Sequence, residues 1–216
     1  MLKKERFDKV ISWFKENVSV AESELRYNNP YELIVAVILS AQCTDKRVNM
    51  VTPSFYRQYP TVYKLADADV DSIYELIKSI SYPNNKAKHL LGMAQMVVAR
   101  FKGEIPSTIE ELEQLPGVGR KTANVVASIV YNKPVIAVDT HVFRVSARIG
   151  LSTNAKTPLE TEKQLEAYIP EDLRAIAHHW LILHGRYICV ARKPKCNECG
   201  ITAYCKYYAL QEKQAS

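Results

Sequence analysis

The stretch Leu115-Pro116-Gly117-Val118-Gly119-Arg120-Lys121-Thr122-Ala123 decides how this chain is read. One helix ends at Leu115, a Pro-Gly-x-Gly hairpin turns, and a second helix begins. The glycines permit positive φ and close approach of the backbone to a ligand. The second helix offers free N–H groups and the positive end of its dipole, which suits a phosphate. Contacts of that kind are made by the main chain, so they position a duplex without reading its sequence. A plain helix–turn–helix connection is the alternative. A lone Gly-x-Gly is weak evidence, and Leu-Pro-Gly-x-Gly between two amphipathic helices is much stronger.

Outward from the hairpin, helical periodicity dominates. Phe7, Val10, Ile11, Phe14 and Val18 recur at a spacing of three to four within residues 5–19, which predicts an amphipathic helix. Asn29-Pro30 opens the apolar run Tyr31 to Leu39. Its β-branched residues would suit a buried strand, but its length and start signal favour a buried helix. Lys86 to Phe101 reads as a further helix, with Leu90, Leu91, Met93, Ala94, Val97 and Val98 as its apolar face. Ser107 and Glu110 have capping-box spacing and predict a helix running to about Leu115. Asn132-Lys133-Pro134 reads as a turn and a crossing point between lobes. Asp139 is placed to cap a helix over Thr140 to Ile149. The tail after Cys205 reads as short, polar and frayed. With no run of alternating strands and no internal repeat, the class is mostly α.

At 216 residues the chain suits one domain or two small lobes, and 47% hydrophobic residues support an ordinary core. No apolar run approaches the roughly 20 residues that span a bilayer. Met1-Leu2-Lys3-Lys4-Glu5-Arg6 lacks a signal-peptide core. A cytoplasmic protein is therefore expected. The net charge of +6 favours an anionic partner such as DNA or RNA.

Four of the five cysteines, Cys189, Cys196, Cys199 and Cys205, fall in one array with gaps of six, two and five residues. In a reducing compartment this reads as metal binding rather than disulfides. The array sits among Arg186, Arg192, Lys193, Lys195 and Lys206, with only Glu198 opposing. That setting suggests a structural cofactor that shapes a nucleic-acid contact. The remaining cysteine, Cys43, reads as a small buried residue.

Two residues carry the candidate chemistry. Lys121 lies in the first turn of the second hairpin helix, where the dipole, and any partial burial, favour the neutral amine. A neutral lysine is a nucleophile able to form a Schiff base with an aldehyde-level carbon such as the sugar C1′ in DNA. A simple phosphate-binding cation is the other reading, and the residues alone leave both open. Asp139, in Val138-Asp139-Thr140-His141, could stabilise an oxocarbenium-like transition state, serve as a helix cap, or do both.

Leu-Pro-Gly-Val-Gly-Arg-Lys at 115–121, Val-Asp-Thr-His at 138–141 and Cys-x6-Cys-x2-Cys-x5-Cys at 189–205 together resemble the endonuclease III family. The likeness extends to Leu39-Ser40-Ala41-Gln42, Thr44-Asp45 and His179 to Tyr187, and spans about residues 5–207. The resemblance implies an all-α fold of two lobes with the DNA cleft between them. Residues 23–134 would form a six-helix lobe with the helix-hairpin-helix at about 107–131. Residues 1–22 and 135–216 would form the other lobe, holding one [4Fe–4S] cluster on Cys189, Cys196, Cys199 and Cys205.

It further implies a glycosylase that flips oxidised pyrimidines out of duplex DNA and then nicks the strand 3′ to the abasic site. Lys121 matches the Schiff-base nucleophile and Asp139 the catalytic carboxylate. Gln42 matches the residue that fills the gap left by the flipped base. Leu115, Gly117, Val118, Gly119, Arg120, Thr140, His141 and Arg144, with Arg192, Lys193 and Lys195 of the cluster loop, make up the expected DNA-contacting set. The expected protein is a monomer, nucleoid-associated and without a membrane. Two departures stand out: Pro83 in Ser81-Tyr82-Pro83-Asn84-Asn85-Lys86, where the family often has an aromatic, and Cys43 where it commonly has alanine.

Lys121, and the eleven residues after Cys205, argue against the adenine-mismatch branch of the fold, which lacks the lysine and carries a further domain. A non-catalytic DNA-binding module with structural zinc is the rival from another class. Zinc ribbons usually show two Cys-x2-Cys pairs, and this chain has one.

Overall fold

The computed structural model describes residues 1–215. Among these there are helices and short 3-10 turns but no strand. The helices are α1 (Lys3–Asn17), α2 (Pro30–Ser40), α3 (Asp45–Gln58), α4 (Val62–Ala66), α5 (Val70–Ile77), α6 (Pro83–Phe101), α7 (Ile109–Leu112), α8 (Arg120–Tyr131), α9 (Thr140–Ile149), α10 (Pro158–Glu166), α11 (Arg174–Tyr187) and α12 (Lys206–Ala215). None is long and apolar enough to cross a membrane. The chain divides into two compact units, Ser23–Asn132 and Met1–Glu22 with Lys133–Ser216.

The continuous unit contains α2 to α8, seven helices rather than six. Two of them, α4 and α7, are only five and four residues long. At its centre α2 packs on α3, α6 and α8. Every residue from Tyr31 to Leu39 is buried. A helix apolar on all sides belongs in a core, which resolves the strand-or-helix ambiguity of this run. Its start is fixed locally: the Asn29 side chain accepts a hydrogen bond from the Glu32 N–H at 2.9 Å, and Pro30 occupies the first helical position.

The capping box of α7 lies one residue later than the sequence predicts. Thr108, not Ser107, is the cap. Its Oγ1 accepts from the Glu111 N–H at 3.2 Å and donates to the Glu111 carboxylate at 2.7 Å. The helix ends at Leu112 instead of reaching Leu115. A Leu115-to-Val118 turn follows, in which the Val118 N–H donates to the Leu115 carbonyl at 3.0 Å.

The second unit is discontinuous in sequence. Here α1 lays Phe7, Val10, Ile11 and Phe14 into a core shared with α9, α10 and α11. Phe14 stacks on Trp180 with ring centroids 5.8 Å apart, and the Trp180 indole donates to the Val18 carbonyl at 2.7 Å. Truncating either ring to alanine would cost about 3–5 kcal/mol. The tail after Cys205 is helical through Ala215, not frayed. Its first turn is anchored by the Arg148 guanidinium, 5.0 Å from the centre of the Tyr207 ring.

Candidate functional site

The hairpin is built on α6. Gly117 has φ +80°, and a Cβ added there would come within 2.8 Å of the His89 Cβ. Gly92 admits the Pro116 ring, which would lie 3.2 Å from an added Cβ. Leu115 and Val118 point into the core, so only main chain is presented at the tip. Gly119 caps α8 with no side chain, and a methyl there would meet nothing within 4 Å. The cap of this twelve-residue helix thus carries no side chain that would stand between a phosphate and its first N–H groups. Arg120 and Lys121 follow, both exposed. The partial burial suggested above for Lys121 is therefore absent.

Among the described residues, six other than glycine have left-handed φ: Gln42, Tyr82, Lys102, Asn132, Asn154 and Lys193. Lys102 and Asn132 are helix C-caps, where that conformation is ordinary, and asparagine tolerates it elsewhere. Gln42, Tyr82 and Lys193 have neither excuse. Gln42 (φ +53°) and Lys193 (φ +53°) are exposed and belong to the expected DNA-contacting set. Tyr82 is 62% exposed and sits just before Pro83, although a residue preceding proline favours extended backbone. Strain of this kind gathers at functional loops. In the sequence, the signal for Tyr82 is an aromatic ahead of the helix-starting proline. Cys43, read as buried, is only half-buried.

Asp139 caps α9. Its Oδ1 accepts from the His141 and Val142 N–H groups, both at 2.8 Å, while Oδ2 has no hydrogen-bond partner among the described residues. One oxygen holds the helix and the other stays available. The half-buried His141 places Nδ1 3.3 Å from Arg144 Nη2. Arg144 itself turns inward: Nη2 donates to the Gly185 carbonyl at 2.8 Å and to the Cys189 carbonyl at 3.2 Å. One turn later, Arg148 donates to the Val190 and Ala191 carbonyls at 2.7 and 2.8 Å. This approach of α9 to α11 needs Gly185, where a Cβ would sit 2.9 Å from the His141 Cβ. Thr140, Arg192, Lys193 and Lys195 are exposed. Lys195 reaches Glu198 at 3.6 Å, an exposed pair of little energetic weight.

Cys189, Cys196, Cys199 and Cys205 all line one pocket of ≈ 320 Å³, mouth included, with Ile149, His184 and Ile201 among its walls. Among the described residues no three His, Cys, Asp or Glu side chains are gathered closely enough to hold a single ion. Tetrahedral zinc at 2.3 Å from each sulfur would bring the sulfurs to roughly 3.8 Å of one another. Four thiols spread around one pocket suit a cluster with a separate iron for each. Burial raises the Cys199 and Cys205 thiols above their ordinary pKa. Ligation to iron must therefore supply the energy to hold them as thiolates. Burial also lowers His184 to about 4, which keeps its ring neutral with Nε2 3.7 Å from Cys199 Sγ.

Residues 35–171 match the HhH-GPD superfamily of base excision DNA repair proteins, and residues 189–205 match the iron-sulfur binding domain of endonuclease III. Endonuclease III of Rickettsia felis is 46% identical over 93% of this chain and 94% of its own. Two solved structures, each 39% identical, superpose closely. A non-covalent endonuclease III–DNA complex covers 99% of this chain and 100% of its own with a TM-score of 0.93. A trapped endonuclease III–DNA covalent intermediate, the estranged-adenine complex, covers 98% of this chain and 100% of its own with a TM-score of 0.89.

Proposed function

The chain belongs to the endonuclease III family, and from that premise we propose that it removes oxidised pyrimidines from duplex DNA through a Schiff base on Lys121. It is a base excision repair enzyme, a bifunctional DNA glycosylase and AP lyase, and it carries one [4Fe–4S] cluster. The observation that carries the residue assignment is the exposed Lys121 amine on the first turn of a helix capped by a bare glycine.

In this reading the Gly117–Gly119 backbone and the α8 N–H groups grip a phosphate, and DNA binding strips water from Lys121. The amine lone pair attacks C1′, the N-glycosidic bond breaks, and the base leaves after taking up a proton. Asp139 Oδ2 balances the positive charge that develops on the sugar. The lysine nitrogen, having lost a proton, then pushes its lone pair to C1′, the C1′–O4′ bond breaks and O4′ takes up a proton. The resulting ring-opened iminium is an electron sink: loss of a C2′ proton expels the 3′ phosphate and nicks the strand. Gln42 takes the place of the flipped base, and exposed Arg192, Lys193 and Lys195 hold the backbone. When bound, the cluster supplies a fixed four-point anchor for the 189–205 loop. A monomer acting on chromosomal DNA suffices for all of these steps.

The test is incubation with duplex DNA containing thymine glycol, in the presence of borohydride. A trapped protein–DNA band supports the reading. Base release without a band would point instead to a glycosylase that uses water, with Lys121 as a phosphate clamp.

A further inference from the structure

Lys86 is 5% exposed, unusual for a lysine. Its position is doubly unfavourable. It lies in the first turn of α6, the positive end of the helix dipole, and burial lowers its amine below the ordinary value, with Cys43 opposing. Yet its Nζ donates to the Leu39 carbonyl at 2.8 Å and to the Ala41 carbonyl at 2.6 Å.

These bonds complete the end of α2. The Val37 carbonyl accepts from Ser40 Oγ at 2.9 Å, Ile38 from the Ala41 N–H at 3.4 Å, and Ser40 from the Cys43 N–H at 3.0 Å. Of the five carbonyls from Val37 to Ala41, Leu39 and Ala41 depend on Lys86. A helix C-terminus leaves its last carbonyls without intrahelical donors, and here a side chain 45 residues away serves the one adjoining Gln42. The Lys86 backbone N–H in turn donates to the Tyr82 carbonyl at 3.1 Å. One residue thus ties together two loops, each with a non-glycine residue in the left-handed region.

We infer that Lys86 is a positioning residue for base flipping, holding Gln42 in the left-handed conformation in which it replaces the extruded base. A methionine would fill the same space without the buried charge. The ammonium is used because two carbonyls on a strained turn need donors that the chain itself does not provide. This inference rests on the role given to Gln42 above.

A double-mutant cycle on the purified full-length holoprotein tests it. Lys86→Met, Gln42→Ala and the double variant are assayed by kcat/KM on thymine glycol paired with adenine. They are assayed again on the same lesion facing a single-nucleotide gap, where no partner base is left behind. Left-handed strain in a non-glycine residue predicts about a tenfold loss for Lys86→Met on the paired duplex. The loss should fall to within about twofold on the gapped duplex, and the double variant should be no worse than Gln42→Ala alone. Equal losses on both duplexes, or losses that multiply in the double variant, would overturn the inference, since Lys86 would then act on folding or elsewhere. If Gln42→Ala behaves as the unsubstituted protein, the role given to Gln42 fails and takes this inference with it. If only Lys86→Met behaves so, Lys86 alone is refuted. Should Lys86→Met not fold, Lys86→Leu removes the donors with a shorter apolar side chain and completes the same cycle.

Discussion

Two glycines two residues apart should respond to the same substitution in opposite ways. At Gly117, alanine must adopt φ +80°, which costs about 1–2 kcal/mol. Its methyl must also push aside the His89 Cβ from 2.8 Å, and overpacking of that kind costs about 1–3 kcal/mol. The sum, about 2–5 kcal/mol, corresponds to a fall in melting temperature of about 4–20 °C for a chain of this size. At Gly119, alanine meets no atom within 4 Å at an ordinary φ of −95°. Alanine is the poorer helix cap, but it restricts the unfolded chain, and the two effects are each about 1 kcal/mol or less with opposite sign. Gly119→Ala should therefore melt within about 2 °C of the unsubstituted protein. Its methyl would instead stand in open space beside the cap of α8, where the phosphate is proposed to sit. Losing one charge-assisted amide–phosphate bond there weakens DNA binding about tenfold. Thermal melts followed by circular dichroism, and fluorescence anisotropy with an intact duplex, read the two effects separately. A Gly119→Ala protein that melts early but binds DNA normally would refute the reasoning, as would a Gly117→Ala protein with an unchanged melt.

Asp139→Asn should keep the cap, because asparagine caps as well as aspartate, yet slow base release by about 100- to 1000-fold in single turnover. Asp139→Ala should add a stability loss of about 1 kcal/mol, visible in the melt; near-normal turnover of the Asn variant would leave Asp139 a cap alone. Cys196→Ala should lose the brown absorption of the cluster and unfold the unit containing Lys133–Ser216 at lower temperature; a coloured variant with an unchanged melt would contradict the ligand assignment. Lys193→Ala should reduce the slope of log affinity against log salt by about 0.9, and an unchanged slope would remove Lys193 from the phosphate contacts.

The parts of the fold legible in the sequence are those set by local chemistry. Asn29-Pro30 announces α2, Asp139 announces α9, and Asn132-Lys133 falls where the chain passes from one compact unit to the other. The α7 cap was ambiguous for a physical reason. Ser107 and Thr108 each have a glutamate three residues later, so both satisfy the same rule and only tertiary packing separates them. The helicity of α12 depends on contacts such as that of Arg148 with Tyr207, which lie far apart in sequence. Lys86 and Arg144 show the same limit within the candidate site. A lysine in an amphipathic helix reads as solvent-facing, and an arginine beside Asp139 reads as a DNA contact. Their bonds to backbone carbonyls 41 to 47 residues away are set by tertiary packing and leave no local signal.

Whether Lys121 is the nucleophile is read by mass spectrometry of the borohydride-reduced adduct formed with thymine glycol DNA, digested to peptides. The deoxyribose remnant should lie on the peptide containing Lys121, and a Lys121→Ala protein that still binds the damaged duplex should give no adduct. A remnant on any other lysine or on the N-terminal amine, or trapping that persists in Lys121→Ala, would contradict that role.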